Sequence, residues 1–397
     1  MPIPELVKFK ECIAKHFIIT DWQAIDIVVA AAIAHKLGGE MLWLRVIGAS
    51  GSGKTEILRT LYNQTGYVET LETLTPSAIR RGFKPMRRNK ETDKLESILD
   101  QPTLIQRING HLVITKELAP LMTRQHEARL EIFGLLRSLH DGELDADYGS
   151  LEGHVHQKCR FDWILGTTGQ VDSENQLEMQ LGSRFTDMRW DMPDNIEDAI
   201  IKAVDNMDSI DPIRDELSDI MASIIARADK QAAKRFTDEY MKSESKERFA
   251  KLCRILAVLR TPVIRDRHNK DIVDEPLPES GTRIGQSFAK IAKGLYMLGL
   301  DDIDSYLVRM AWDGLPRTRR IVLKAIYKVE QDSNMLIPDV DTNAITNVSQ
   351  RYIAKYSKTI ENNDGTGLSQ QSISMVLNDL RVLKAKQLPW REYLCQF

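Results

Sequence analysis

Eight residues near position 50 have the types and spacing of a phosphate-binding loop. The pattern G-x-x-x-x-G-K-T is filled by Gly48, Ala49, Ser50, Gly51, Ser52, Gly53, Lys54 and Thr55. Glycines let successive backbone N–H groups converge on phosphate oxygens where a side chain would clash. Lys54 would reach the β- and γ-phosphates and Thr55 would ligate Mg²⁺, while Glu56 belongs to the helix N-terminus that completes the cradle. The sequence therefore predicts a site for a nucleoside triphosphate with Mg²⁺.

The segments on either side of this loop are the ones that the motif requires. Residues 41–47 form an apolar run typical of a buried strand, and Ile57, Leu58 and Leu61 recur at helical spacing. A phosphate-binding loop must lie between a strand and a helix N-terminus, and this context distinguishes the motif from a chance glycine-rich turn. The other elements are therefore interpreted around this loop.

A second buried strand is predicted at residues 110–117, where an apolar run ends in the carboxylate of Glu117. In comparable nucleotide sites such a strand usually ends Asp-Glu, because the Asp holds the Mg²⁺ water shell and the Glu polarises the attacking water. Lys116 stands at the position of that Asp. Glu117 is thus the candidate base, and Mg²⁺ would depend more on Thr55 and the phosphates. An ordinary core strand with a polar end is the alternative.

Another strand, at residues 161–168, ends in two hydroxyl side chains, Thr167 and Thr168. Either could hydrogen-bond the γ-phosphate or the attacking water, and a simple strand terminus is the alternative. Just before this strand lie three potential metal ligands, namely His154, His156 and Cys159. No second cluster completes a tetrahedral set around them, so the sequence does not predict a metal site there.

Composition excludes several classes of protein. The 397 residues are 42% hydrophobic and 28% charged, which suits a globular protein of two or three domains. The net charge of −3 means that any nucleic-acid contact must come from a local basic patch. Four scattered cysteines without a CxxC pair indicate free thiols in a reducing compartment. Because no apolar run is long enough to span a bilayer, we expect a cytoplasmic protein without a membrane partner.

Changes in the hydrophobic pattern predict an α/β fold of four parts. Helices fill residues 1–37, and residues 38–193 form a phosphate-loop core with a parallel sheet. The pattern then becomes helical over residues 194–315, which predicts a helical lid. Residues 316–397 contain further amphipathic helices and predict a small winged-helix-like domain.

Two segments are candidates for contact with DNA. Residues 80–90 are the most basic stretch of the chain, and a solvated loop is the alternative. Residues 368–380 have the polar N-terminal half and apolar seam of a recognition helix. Its groove-facing residues would be Gln370, Gln371 and Ser374, and the phosphate contacts would be Arg317, Arg319, Arg320 and Lys324. A winged helix that only packs against protein is the alternative.

The order of these elements resembles the AAA+ ATPases over residues 21–298, particularly the branch of the minichromosome maintenance helicases and the helicase-like ATP-binding proteins of phages and mobile elements. In that family a Ser-Arg-Phe element supplies an arginine to the nucleotide site of the neighbouring subunit, and Ser183-Arg184-Phe185 matches it. Arg283 resembles the arginine of the family's helical lid, and a surface salt bridge is the alternative for both arginines. The resemblance implies ATP and Mg²⁺ as ligands, and Thr168 or Thr167 stands where the relatives usually have Asn.

The sequence thus leads to one main hypothesis and two alternatives. The main hypothesis is an ATP-hydrolysing motor or loader that acts on DNA as a homo-oligomer, in a ring or an open ring. The first alternative is a nucleotide-gated assembly switch or regulator with little turnover, which the substitution at Lys116 favours. The second is a protein-remodelling ATPase whose winged helix packs against a partner.

Overall fold

The computed structural model describes residues 1–81, 86–88, 93, 95–97, 102–117, 125–147, 154–172, 184–228, 230–266, 271–274, 276–333, 347–358, 360 and 368–395. Within them the strands are β1 (Trp43–Ile47), β2 (Val68–Thr70), β3 (Met86–Arg88), β4 (Leu95–Ser97), β5 (Leu112–Thr115), β6 (Glu143–Asp147), β7 (His154–Lys158), β8 (Asp162–Thr167) and β9 (Thr186–Arg189). The strands predicted at residues 41–47, 110–117 and 161–168 are confirmed as β1, β5 and β8.

The helices up to the end of the sheet are α1 (Pro4–His16), α2 (Trp22–Ala34), α3 (Lys54–Arg59), α4 (Pro76–Arg81), α5 (Leu104–Ile108) and α6 (His126–His140). Those that follow the sheet are α7 (Ile196–Asp205), α8 (Ile210–Arg227), α9 (Lys230–Glu239), α10 (Ser243–Arg260), α11 (Thr282–Met297), α12 (Ile303–Asp313), α13 (Arg317–Ser333), α14 (Asn347–Ser357), α15 (Gln370–Val382) and α16 (Trp390–Leu394). No described helix is both long and apolar enough to cross a membrane.

The centre of the fold is a five-stranded parallel sheet in the order β2-β5-β8-β1-β9. Every residue of β1, β5, β8 and β9 is buried, as expected for a parallel sheet that is covered on both faces. The predicted α/β class is therefore confirmed, and sheet and loop together are consistent with the fold of P-loop AAA+ ATPases. β3 and β4, like β6 and β7, form antiparallel pairs apart from this sheet.

The N-terminal helices pack against the helices that follow the sheet. α2 is buried from Ala24 to Ala34 and lies against α11, while α1 lies against α8. The contact between α2 and α11 is very close, because a Cβ atom built on Gly294 would stand 2.2 Å from the carbonyl oxygen of Ala30. Only glycine allows the two backbones to approach in this way.

The C-terminal segment is helical. α13, α14 and α15 pack against one another around Ile353, Ile373 and Leu377. No strand is found among the described residues from 276 onwards, and residues 334–346 and 361–367 lie outside the description. The three helices fit the helical part of the predicted winged-helix-like domain, and the wing itself stays a prediction.

A buried ion-pair cluster joins the sheet to the helices at the amino end of β8. The carboxylate of Asp162 accepts hydrogen bonds from Lys290 Nζ at 2.8 and 2.9 Å, from His35 Nδ1 at 2.8 Å and from the backbone N–H of Leu42. Burial opposes the charged form, but the hydrogen bond from His35 and the charge of Lys290 outweigh it and lower the pKa of Asp162. Asp162 is therefore ionised in the folded protein.

Replacing Asp162 by asparagine should lower the free energy of unfolding at pH 7 by about 3 kcal/mol, because Lys290 then loses its buried counter-charge. A lowered native pKa means that Asp162 stabilises the fold above the ordinary carboxyl pKa, near 4, and that this contribution is lost as the pH falls below it. Denaturant titrations should show a large difference in the free energy of unfolding between Asp162→Asn and wild type at pH 7, and a smaller difference at pH 3. The exposed control Asp205→Asn should match wild type at both pH values, and an equal deficit of Asp162→Asn at both would contradict the assignment.

Candidate phosphate-binding site

Three adjacent strands end at one edge of the sheet and bring the predicted site residues together. The register pairs Ile47 of β1 with Thr167 of β8, and Thr115 of β5 with Leu165 of β8. The loop after β1, Glu117 after β5 and Thr168 after β8 therefore lie side by side. Ligands of open α/β sheets bind at this carboxyl edge.

The loop between β1 and α3 has the backbone conformation that a phosphate-binding loop requires. Gly51 and Gly53 adopt φ values of +78° and +89°, in the left-handed region where other residues are strained. A Cβ atom on Gly48 would stand 3.0 Å from Cβ of Trp190, so a larger residue here would require Trp190 to shift. The N–H of Gly48 donates to the carbonyl of Thr167 at 3.0 Å, which attaches the loop to β8.

Lys54 is buried at the first position of α3, with only 2% of its surface exposed. Its Nζ donates to the carbonyl oxygen of Ala49 at 3.0 Å and so lies across the loop. Burial lowers the pKa of Lys54, and the negative charge of Glu117 acts in the opposite direction. The ammonium group therefore lies across the loop and within the electrostatic influence of Glu117, an arrangement suited to a bound polyphosphate.

Ser52 and Thr55 complete the donors of the loop. Ser52 is buried, and its Oγ has no hydrogen-bond partner among the described residues, while its carbonyl accepts from Trp190 Nε1 at 2.9 Å. A buried hydroxyl without a partner costs free energy unless a ligand satisfies it. Thr55 is half-buried in the first turn of α3. The residues present thus fit a phosphate, and Thr55 is where a Mg²⁺ ligand would stand.

Glu56 is engaged by a helix outside the core. Arg214 of α8 donates to the two carboxylate oxygens of Glu56 from Nε and Nη2, each at 2.8 Å. This bidentate pair joins α8 to the helix that starts in the phosphate loop. The side chain of Glu56, predicted among the loop's binding residues, thus contacts Arg214.

Lys116 and Glu117 point to different neighbours. Lys116 Nζ lies 3.2 Å from a carboxylate oxygen of Glu72 and 4.5 Å from the centre of the Tyr62 ring. These contacts direct Lys116 towards β2, whereas Glu117 interacts with Lys54. Close strand packing supports this geometry, because a Cβ atom on Gly166 would stand 2.3 Å from the carbonyl oxygen of Lys116. Lys116 therefore has structural partners of its own.

The two threonines after β8 differ in exposure. Thr167 is buried and its Oγ1 donates to the carbonyl of Thr168 at 3.4 Å, whereas Thr168 is half-buried. Thr168 is therefore the more accessible of the two hydroxyls at this edge of the sheet.

Arg184 lies at the opposite end of the sheet from the loop. Thr186 pairs with Leu44, which puts Arg184 about 20 Å from the loop by the rise of an extended strand. Its Nη2 donates to the two oxygens of Asp141 at 3.1 and 3.2 Å, and its side chain is 5% exposed. Ser183 lies outside the described residues.

Arg283 lies near Arg184 rather than near the loop. It is exposed at the N-terminus of α11, and after burial its charge is the largest influence that lowers the pKa of Arg184. Burial, followed by the charge of Arg184, lowers the pKa of His140 to about 4, with a smaller contribution from Arg283. Arg137 also acts on Arg184 in this way. Arg137, Arg184 and Arg283 thus lie close to one another, at the end of the sheet opposite the phosphate loop.

A cavity of about 1280 Å³ opens beside the loop, between the carboxyl edge of the sheet and helices α12 and α13. Its wall includes Gly48, Ala49 and a set of five basic side chains: Arg189, Arg309, Arg317, Arg320 and Lys324. Arg189 donates to Asp172 at 2.5 and 2.8 Å, and Arg309 is paired with Asp21. The basic run at 317–324 was visible in the sequence, but its position beside the loop was not predicted.

Arg319 requires a correction. The sequence assigned it to DNA phosphates, yet it is 5% exposed and donates to the carbonyls of Leu259 and Thr261 and to the carboxylate of Asp379. A buried guanidinium with these partners cannot contact a nucleic acid. The same correction applies to Arg320, which is also 5% exposed and lies 3.5 Å from Asp313, whereas Arg317 is exposed. The basic run in the sequence did not reveal which of its side chains helix packing buries.

Comparisons with known proteins add little to this geometry. No protein-family model matches the sequence, and no curated protein matches it. One of the solved structures that match is a provisionally assigned ATPase from Cytophaga hutchinsonii. The sequences are 10% identical, the match covers 78% of this chain and 88% of that chain, and the TM-score is 0.38. A similarity of this size does not assign a function to the chain.

Proposed function

We propose that the protein is an ATPase that binds ATP at the loop from Gly48 to Glu56 and hydrolyses it with Glu117 as the base. The observation that carries the proposal is the position of Glu117 just after β5, at the same sheet edge as the loop, where its negative charge acts on Lys54. A phosphate loop alone would support binding only. A carboxylate that faces the loop lysine from the next-but-one strand adds a group that can accept a proton beside the γ-phosphate.

Each residue has a distinct task in this reaction. Backbone N–H groups of the loop and the ammonium of Lys54 hold the phosphates, and the cavity beside Gly48 leaves room for the nucleoside. A Mg²⁺ ion at Thr55 would neutralise charge on the phosphate oxygens. Water attacks the γ-phosphorus while Glu117 takes its proton, and the bond to the β-phosphate oxygen breaks so that ADP leaves with the electron pair. Thr168 would orient the water.

The proposal includes assembly with further copies of the chain. Arg184 cannot act on the loop of its own chain over about 20 Å, but an adjacent copy could present it to a neighbour's phosphates. The like charges of Arg137 and Arg283 beside Arg184 support this reading, since an incoming polyphosphate would neutralise all three. Arg184 would then exchange Asp141 for the phosphate.

Action on DNA is the finer part of the proposal. The polar residues Gln370, Gln371 and Ser374 are exposed on α15, while its apolar residues Ile373 and Val376 are buried. This amphipathic pattern suits a recognition helix, and Arg317 remains an exposed candidate for a phosphate contact. The side chains of the basic segment at residues 80–90 lie outside the description.

One specific observation keeps the nucleotide switch as a second candidate. Lys116 stands where such strands usually have the metal-site Asp, and its side chain contacts Glu72 and Tyr62 instead. ATPase rates with and without single-stranded and duplex DNA, together with the mass of the protein in ATP, separate the two. ATP turnover that is stimulated by DNA would support the motor or loader. ATP-dependent assembly with negligible turnover on any DNA would favour the switch.

Replacing Lys54 by alanine should weaken ATP binding by about 100-fold, because a charge-assisted contact to phosphate contributes about 3 kcal/mol. The variant should fold normally, since the lysine is desolvated in the loop and its hydrogen bond goes to Ala49 alone. Calorimetric titration with ATP measures the affinity, and circular dichroism checks the fold. The half-buried Lys202 of α7 provides a control, Lys202→Ala, which should bind ATP like wild type. Undiminished affinity in folded Lys54→Ala would remove the loop from the proposal.

A further inference from the structure

Three side chains of metal-ligating types converge between α1 and α8, far from the phosphate loop. The Sγ of Cys12, a ring nitrogen of His16 and a carboxylate oxygen of Glu216 all lie within 4.8 Å of one another. No other group of three such side chains is found among the described residues. Cys12 is buried, His16 is half-buried and Glu216 is exposed, so the cluster opens to solvent on one side.

The helices explain why these residues meet. Cys12 and His16 are four residues apart on α1 and therefore share one face of that helix. This face lies against α8, which supplies Glu216. The end of α1 is held in place because Asn206 Nδ2 donates to the backbone carbonyl of His16. Two of the ligands therefore lie on one face of α1, and the third lies on the helix that packs against this face.

We propose that Cys12, His16 and Glu216 bind a zinc ion that clamps α1 to α8. Thiolate, imidazole and carboxylate are the ligand types that zinc takes, and three protein ligands leave a fourth tetrahedral position for water on the exposed side. The thiol of Cys12 loses its proton to solvent when the sulfur–zinc bond forms. One thiolate and one carboxylate balance the two positive charges of the ion, which suits a half-buried site.

Existing contacts between the ligands support the site. The Sγ of Cys12 and a carboxylate oxygen of Glu216 lie within 4.8 Å of each other, so one ion between the two helices can contact both. α8 also carries Arg214, which holds Glu56 beside the phosphate loop. Zinc would thus stabilise the helix that contacts the loop.

The test is metal binding by the full-length protein, without any measurement of activity. Metal-free protein should take up one equivalent of zinc, and cobalt(II) in its place should give a thiolate-to-cobalt charge-transfer band. Cys12→Ser should abolish that band and weaken zinc binding by at least about 100-fold. Loss of a group that only hydrogen-bonds a metal ligand lowers metal affinity by about 10- to 100-fold, and loss of the ligand itself should lower it at least as much. Cys395→Ser is the matched control and should keep both properties.

A second variant tests the proposal even if Cys12→Ser does not fold. Glu216 is exposed, so Glu216→Gln should fold like wild type and yet bind zinc at least about 10-fold more weakly. Zinc should also raise the melting temperature of wild type but not that of Glu216→Gln. Absence of zinc uptake by wild type, a charge-transfer band that survives in Cys12→Ser, or equal zinc affinity of Glu216→Gln and wild type would each overturn the proposal.

Discussion

Replacing Arg184 by alanine is expected to lower ATP turnover by about 10³-fold or more while leaving ATP affinity unchanged, since a trans arginine stabilises charge that develops only in the transition state. The fold should survive, because the partner Asp141 is 59% exposed and can be hydrated once the arginine is gone. Turnover at saturating ATP and nucleotide affinity are the two measurements. Arg227→Ala, which removes an exposed arginine paired with Glu5, is the control and should keep its activity.

Mixing of inactive variants tests whether Arg184 acts on a neighbouring subunit. A Lys54→Ala subunit should bind ATP only weakly but keeps Arg184, whereas an Arg184→Ala subunit should bind ATP normally but lacks the arginine. If the arginine acts in trans, mixed oligomers should regain activity that neither variant has alone. Turnover of wild type should also fall on dilution, as oligomers dissociate. No rescue in oligomers shown to be mixed, or full activity in a dilute monomer, would reject the trans arginine and favour the switch.

The second large effect is expected for Glu117→Gln, which should reduce turnover by about 100-fold or more and leave ATP affinity at least as high as in wild type. Glutamine preserves the size of the side chain but cannot take a proton from water. It also removes the negative charge that faces Lys54, so that the phosphates meet less repulsion. Single-turnover hydrolysis separates this chemical step from product release.

Glu72→Gln is the matched control, because Glu72 follows β2 and pairs with Lys116 rather than with Lys54. Its turnover should remain within a few-fold of wild type. Unchanged turnover in Glu117→Gln would show that another group activates the water, and the half-buried Thr168 would then be the nearest polar alternative at this edge of the sheet.

Features that depend on neighbouring residues could be predicted from the amino-acid sequence. A strand, a glycine-rich turn and a helix N-terminus around Lys54 follow from local sterics, because Gly51 and Gly53 are needed where φ is positive. The strands β5 and β8 were also predictable, since fully buried parallel strands are usually continuous apolar runs. The strand β9 was not predicted, because its four buried residues are Thr, Asp, Met and Arg. The free cysteines follow from their scattered positions, and all four are unpaired.

Contacts between distant residues became visible only in the folded chain. Glu117 lies near Lys54 whereas Lys116 pairs with Glu72, because adjacent residues at the end of a strand point to opposite sides. The same holds for Arg319, which looks like a surface base in sequence but is buried against Asp379. Such contacts join residues far apart in the chain, so their geometry depends on helix packing and strand pairing, which no local pattern encodes.

The two proposed sites illustrate this division. The phosphate loop is contiguous, and its chemistry can be inferred from eight letters of sequence. The zinc ligands come from α1 and from α8, about 200 residues later, and their spacing along the chain has no recognisable pattern. Cys12 and His16 gain a third ligand only because the apolar faces of α1 and α8 pack together. Burial of those faces, rather than any local motif, is the physical reason that the cluster exists.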